Sequence, residues 1–478
     1  MAPRSPVASC RERLMGLLAA SEAAGAAAGL LALAVPGARR VEQYPTGEEL
    51  LPVRQPSTFV YVAGDRVQLH DCVCVVLRSA EGPVTAQLVV PGCDPDRRQF
   101  DGCDPDAFDG KVVARPEIPA DAALFYLDHG GSAAVFDPTG VLPKRARPLK
   151  NGLALLARSR RVKTPDEIAC VEAACATSCR SLRQTIAFLG RTRARARRDP
   201  SEAELAALFA QRCARYGSIG DMAFPPIVAS GPAASTLHHA AGRGAVRRER
   251  PVIFDVGGRV RGYCADISVT LPGENRAWRR VHREVCNALA GLERALEPGV
   301  TWERLAERAD REMYAALRRA GLLLGTPEEE PDRDTVRQLV RHFMPHSCGH
   351  HMGLDTHDAC GPQGLEEGAV VALELGVYTP PAGALPAGLA RRLAAERLAE
   401  LGAGGVRVED DLVVVRGGSD NLTRAALAPL RAGRLGRLGR GGRPRRPGRA
   451  GAGAASACGG PPAQRPEPPP REKDALGR

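Results

Sequence analysis

In the second half of this chain, carboxylates stand inside runs of residues that otherwise read as buried β-strands. Asp255 closes Val252-Ile253-Phe254, and Asp266 sits in Tyr263-Cys264-Ala265-Asp266-Ile267. Glu374 interrupts the apolar run that starts at Val370, while Glu409 and Asp410 separate Val406-Arg407-Val408 from Leu412-Val413-Val414-Val415. A carboxylate buried in a sheet is costly unless it meets a cation. The chain is therefore restricted to folds that gather these acids around shared positive charge. Pairing with arginine accounts for Glu409 and Asp410 beside Arg407, but it explains Asp255 and Asp266 less easily.

Histidines add to the same picture. Five of the ten fall between His342 and His357, in a stretch that also contains Gly349 and Gly353. Imidazoles at this density bind metal or shuttle protons, and the glycines suggest close backbone approach. Four carboxylates and one histidine suit a pair of hard-to-borderline divalent ions such as Mn²⁺ better than zinc. Two such ions, roughly 3.5–4 Å apart, would share bridging carboxylates and lower the pKa of a bound water enough for hydrolysis at neutral pH. His346, His357 and the upstream His238-His239 pair supply proton donors.

The surrounding pattern is mixed. Leu30 to Val35, Phe59 to Val62, Cys72 to Leu77 and Gln87 to Val90 read as short strands of a first α/β region, and a short amphipathic helix precedes them. Thr164-Pro165-Asp166-Glu167 is a helix start with a capping box, opening a helix to about Gly190. The basic run Arg191 to Arg198 reads as an exposed linker before a second helix, which Ser201 and Glu204 start and Gly217 stops. A hairpin turned around Gly257-Gly258 follows. One helix then carries Val281, Val285, Leu289 and Leu296, and the next Leu305, Ala309, Met313 and Leu317. Ala369 to Tyr378 and Gly405 to Val415 return to strand, so this region reads as helices on a largely antiparallel sheet.

Composition bounds the partners. The formal charge is +11, yet residues 431–478 hold 12 Lys/Arg against 3 Asp/Glu, a net +9 that leaves +2 for the rest. Nucleic acid is thus not an expected partner except through this Gly/Arg/Pro-rich tail, whose composition cannot bury enough surface to order itself. The 14 cysteines include no Cys-x-x-Cys pair, which excludes a zinc ribbon, and a reduced, intracellular setting is expected. Leu14 to Val35 is broken by Ser21, Glu22 and glycines and does not read as a membrane span. Arg4, Arg11 and Arg13 give the first residues a faint likeness to a mitochondrial transit peptide. The near-duplicate Gly92-Cys93-Asp94-Pro95-Asp96 and Gly102-Cys103-Asp104-Pro105-Asp106 read as surface turns rather than calcium loops.

From about Arg158 to Thr423 the chain resembles the pita-bread metallopeptidases, a family that includes aminopeptidase P, prolidase and methionine aminopeptidase. Five motif positions match in order: Asp255 in Phe-Asp-Val-Gly-Gly, Asp266 in Ala-Asp-Ile-Ser, His350 in Gly-His-His-Met-Gly, Glu374 in Leu-Glu-Leu-Gly, and Glu409 in Arg-Val-Glu-Asp-Asp. The resemblance implies an α/β (α+β) fold: a smaller mixed N-terminal domain over 1–155, a pita-bread catalytic domain over 156–426 with a curved antiparallel sheet flanked by helices, and the tail over 427–478. It implies that Asp266 and Glu409 bridge two metal ions, that Asp255 binds one of them, and that His350 and Glu374 bind the other. His238, His346 and His357 would hold substrate and steady the tetrahedral intermediate, Glu374 would move the proton, and Arg407 would support them.

Arg54-Gln55-Pro56-Ser57-Thr58-Phe59, Phe224-Pro225-Pro226-Ile227 and Asp94 to Gly102 point to aminopeptidase P, especially its mitochondrial type. The implied activity is removal of the first residue from peptides with proline second, with a homodimer as the expected assembly. Prolidase, or a catalytically weak pita-bread binding protein, is the alternative. Three departures stand out. Leu375 replaces the proline of a usual Glu-Pro-Gly, Phe224 stands where relatives often have tyrosine, and the segment between His357 and Glu374 is short.

Overall fold

A computed structural model describes residues 5–21, 30–36, 56–67, 72–79, 82–90, 108–127, 142–149, 151–196, 198–217, 222–324, 331–358, 363–379 and 387–432. The acid-rich turns at 92–106, Arg54-Gln55 and the tail beyond 432 lie outside the described residues. Among the described residues, no helix is long and apolar enough to cross a membrane.

The chain opens with α1 (Val7–Ala19), β1 (Leu31–Pro36), α2 (Ser57–Ala63), β2 (Val73–Arg78), β3 (Thr85–Val89), β4 (Lys111–Val113), β5 (Ala123–Tyr126) and β6 (Arg147–Pro148). The strands form one mixed sheet in the order β4-β3-β2-β1-β5-β6. The run Phe59 to Val62, expected as a strand, is helical instead. Thr58, Phe59, Tyr61, Val62 and Ala63 all bury there, and Gly64 at φ 94° ends the helix, so burial overrides β-propensity. Of the arginines that made the N-terminus look like a leader, Arg11 and Arg13 are part of the fold, and Arg4 lies outside the described residues. Arg11 Nε donates to the Val62 carbonyl at 2.6 Å, and Arg13 reaches the Ser159 carbonyl at 3.1 Å and Glu167 at 3.4 Å.

Next come α3 (Gly152–Arg161), α4 (Pro165–Ala196) and α5 (Glu202–Tyr216). The Thr164–Glu167 capping box forms as read, with Glu167 Oε2 accepting from the Thr164 N–H at 2.7 Å. The basic stretch is no linker over Arg191–Ala196: the helix continues through it, and Arg193 pairs with Asp199 at 2.9 Å beyond its end.

Two antiparallel sheets follow. β7 (Ile227–Ser230), β8 (Val252–Val256) and β11 (Ile267–Leu271) make the first, with a small hairpin, β9 (Arg259–Val260) and β10 (Tyr263–Cys264), between its last two strands. That hairpin turns at Arg261 and Gly262, both at positive φ, and not at Gly257-Gly258 as expected. Gly257 has another use. A Cβ there would lie 1.8 Å from the Ala265 carbonyl oxygen, so only glycine lets the two arms close up beside Asp266.

Helices α6 (Arg276–Glu293), α7 (Trp302–Ala320) and α8 (Arg333–Phe343) lead to β12 (Gly349–His351), β13 (Val370–Tyr378), the short α9 (Ala387–Ala390) and α10 (Ala395–Leu401), then β14 (Gly405–Val415) and β15 (Gly418–Asn421). The second sheet runs β12-β13-β14-β15, and the Val281 and Leu305 stripes bury against it in one apolar cluster. The two sheets are stitched where β11 passes β14: the Thr270 hydroxyl accepts from the Arg407 N–H at 2.9 Å and donates to the Arg407 carbonyl at 2.8 Å. The fold is α/β with helices flanking antiparallel strands, as the sequence implies. A last helix, α11 (Arg424–Arg431), crosses the boundary expected for the tail at 427, because Leu427 and Leu430 are buried and Arg431 pairs with Asp410 at 2.8 Å.

Candidate metal centre

Strand register builds the site. Asp255 lies on β8, Asp266 immediately before β11, His350 in the middle of β12, and Glu374 and Glu409 directly opposite one another on β13 and β14. Within β14 the two-residue repeat sends Arg407, Glu409 and Asp411 to one face and Asp410 to the other. Asp410 is thereby committed to Arg431 and the Thr423 hydroxyl, at 2.8 Å each. The alternative to metal binding, in which Arg407 pairs with its neighbours Glu409 and Asp410, does not form: Arg407 Nη2 lies 2.6 Å from Asp255 Oδ2 instead.

Asp266, His350 and Glu409 converge, each offering a ligand atom within 4.8 Å of the others. His350 Nε2 is 3.5 Å from Asp266 and 3.9 Å from Glu409, and its Nδ1 lies 3.1 Å from the His351 carbonyl oxygen, which leaves Nε2 turned to the acids. Glu409 Oε2 accepts from the Ser268 hydroxyl at 2.9 Å. Asp255 and Glu374 flank the trio without joining it. Burial, then mutual repulsion with Asp255, Glu374 and one another, pushes the carboxyls of Asp266 and Glu409 well above the ordinary range. Burial also raises Glu374. Asp255 Oδ1 is buried with no hydrogen-bond partner. Buried oxygens that lack enough protons or cations, plus one free imidazole nitrogen, are the donor set of a divalent-metal site.

The expected substrate histidines sit around this centre. His357 is exposed, with its ring centroid 4.4 Å from that of His350. His238 is exposed on the segment after β7, close enough to Glu374 and His357 to influence both electrostatically. His346 Nδ1 is 3.6 Å from Glu374, and its Nε2 lies 3.0 Å from the Tyr378 hydroxyl. Burial holds His346 down to about 4, so the neutral ring accepts the Tyr378 proton.

Sequence reasoning missed Tyr378 and Asp411. Tyr378 accepts from Arg407 Nη1 at 3.1 Å, completing a chain Asp255, Arg407, Tyr378, His346. Its signal was the strand period, four residues on from Glu374 and on the same face. Asp411, two on from Glu409, accepts from the Asp266 N–H at 3.0 Å and the Cys175 thiol at 3.1 Å, and burial pushes it up to about 7. Of the departures, Leu375 is fully buried against the helices and Phe224 packs partly buried on the N-terminal core.

With this geometry in view, comparisons with known proteins agree. Residues 169–416 match the model of metallopeptidase family M24. A protein of Ajellomyces capsulatus named "Probable Xaa-Pro aminopeptidase PEPP" is 30% identical over 309 residues, 58% of this chain and 60% of that protein. A namesake from Coccidioides posadasii is 28% identical over 427 residues, 80% of this chain and 87% of that one. Among solved structures, proline aminopeptidase P II from Yersinia pestis shares the fold with a TM-score of 0.69 at 21% identity, over 88% of this chain and 98% of that one.

Proposed function

Because this chain belongs to metallopeptidase family M24, we propose that it is a metal-dependent Xaa-Pro aminopeptidase, removing the first residue from peptides whose second is proline. The observation that carries this reading is the convergence of Asp266, His350 and Glu409 with Asp255 and Glu374 beside them. The names of the relatives support the substrate class.

Asp255, Asp266, His350, Glu374 and Glu409 would hold two divalent ions, with Mn²⁺ the ion that suits so oxygen-rich a set. When bound, the ions supply an activated water and polarise the scissile carbonyl. The remaining work belongs to the chain's own groups. Glu374 would take a proton from the attacking water and pass it to the departing amine. His238 and His357 would donate to the substrate's carbonyl oxygen and backbone, and His346, held by Tyr378 beside Glu374, would line the same site. Arg407 pairs with Asp255 at 2.6 Å and, through Tyr378, orients His346. The domain division implied by the resemblance, 1–155, 156–426 and a following tail, belongs to the same proposal, as do a homodimer and a mitochondrial or cytoplasmic setting.

The test is a panel of Xaa-Pro dipeptides and Xaa-Pro-Xaa tripeptides offered to the protein after loading with Mn²⁺, with bound metal measured alongside. Release of the first residue from the tripeptides, abolished by chelation, is expected. Fully loaded protein that cleaves neither class would overturn the reading.

A further inference from the structure

We infer that Glu202 and His239 form a positioning pair that fixes His238 beside the metal centre. The inference rests on the peptidase reading only for what His238 is used for.

Glu202 is the first residue of α5, and its side chain is buried, about 5% exposed. A carboxylate in that position needs partners, and all three of its hydrogen bonds come from one segment of chain. The Ser230 N–H donates to Oε1 at 2.8 Å, while Oε2 accepts from His239 Nε2 at 2.8 Å and from the Gly242 N–H at 3.2 Å. Backbone bonds reinforce the seam, for the Glu202 and Ala203 N–H groups donate to the Gly244 and Gly242 carbonyls at 2.9 Å. Ser230 ends β7 and Gly242 begins the return toward β8, so one carboxylate ties the stems of the segment that bears His238.

Closing those stems needs only the two backbone N–H groups. The third contact reaches the residue next to His238. On its other side, the Leu237 carbonyl accepts from Arg407 Nη2 at 3.2 Å. His238 is therefore clamped between two anchors on different elements, Arg407 on β14 and Glu202 on α5, although no regular structure surrounds it. Such bracketing holds an exposed ring in the orientation a substrate needs without the ring bonding to anything itself.

The variant His239→Phe keeps a ring and removes the donor, and Glu202→Gln keeps the shape and removes the charge. With Mn²⁺-loaded protein and a Xaa-Pro-Xaa peptide, His239→Phe is expected to lower kcat/KM about tenfold or more while bound metal is unchanged. In a His238→Ala background the same change is expected to cost less than about twofold, because the residue it serves is gone. An equal loss in both backgrounds would show a role in folding alone and overturn the inference. The ring signals of His238 in an NMR spectrum give a readout free of turnover: a single sharp set in the parent protein is expected to broaden or double in both variants. Unchanged signals would also overturn the inference, whereas absence of turnover in the parent protein counts against the peptidase reading only.

Discussion

Glu374 and Glu409 stand in register across the β13–β14 ladder, two acids face to face at a position where sheets ordinarily set opposite charges or apolar groups. With Asp255 and Asp266 close by, the folded chain carries a concentration of like charge that bound cations would relieve.

Metal should therefore stabilise the fold. At free Mn²⁺ about 100 times its Kd, linkage gives about 2.7 kcal/mol. Removal of metal by a chelator should lower Tm by several degrees, and re-addition should restore it. Calorimetry with and without chelator checks this; coincident transitions would mean that the acids hold no ion.

Tyr378→Phe removes the hydroxyl that links Arg407 to His346. Arg407 retains Asp255 and the Leu237 carbonyl, so the proposed metal ligands should stay in place. We expect kcat to fall about tenfold, in line with the loss of one hydrogen bond of about 1–2 kcal/mol, with metal content unchanged. Steady-state kinetics on a Xaa-Pro-Xaa peptide would decide.

Truncation should locate the true start of the tail. Removal of residues 433–478 leaves α11 complete, and neither Tm nor turnover should change. Removal from 427 onward deletes Leu427, Leu430 and Arg431 and strands the fully buried Asp410, at a cost of about 3–5 kcal/mol. Denaturant unfolding of the two truncated proteins separates these outcomes.

Acid should weaken the packing of α6 on the sheet. His282 is buried there, and burial, helped by Arg431, holds its pKa down to about 4 from an ordinary 6.5. Between those values the unfolded chain binds the extra proton, so stability is full above about 6.5 and falls as the pH drops toward 4. His282→Gln should flatten this part of the stability profile; an unchanged slope would remove His282 from the explanation.

Much of the architecture was legible where local chemistry acts alone. The capping boxes at Thr164 and Ser201, the amphipathic stripes of α6 and α7, and the apolar runs of β13 and β14 follow from neighbours a few residues apart. What stayed hidden depends on distant partners. Phe59 to Val62 has strand-forming residues, and only contact with the rest of the N-terminal core makes it helical. The order of the proposed ligands follows from the motifs, but which acid Arg407 neutralises depends on β8 lying next to β14, and nothing within either strand announces it. Tyr378 and Asp411 could have been found by extending the two-residue repeat outward from Glu374 and Glu409.

The way α1 is held has a consequence for biosynthesis. Its arginines seek the carbonyls of Val62 and Ser159 and the carboxylate of Glu167, the farthest of them more than 150 positions downstream. At ribosomal speeds of about 5–20 residues per second, the first helix waits on the order of ten seconds or longer for the last of those partners to emerge. Until then the apolar side of α1, with Leu14, Met15 and Leu18, can rest only on the early elements Leu31–Pro36, Ser57–Ala63 and Val73–Arg78, so the helix is seated first and its arginines are locked in place late in synthesis.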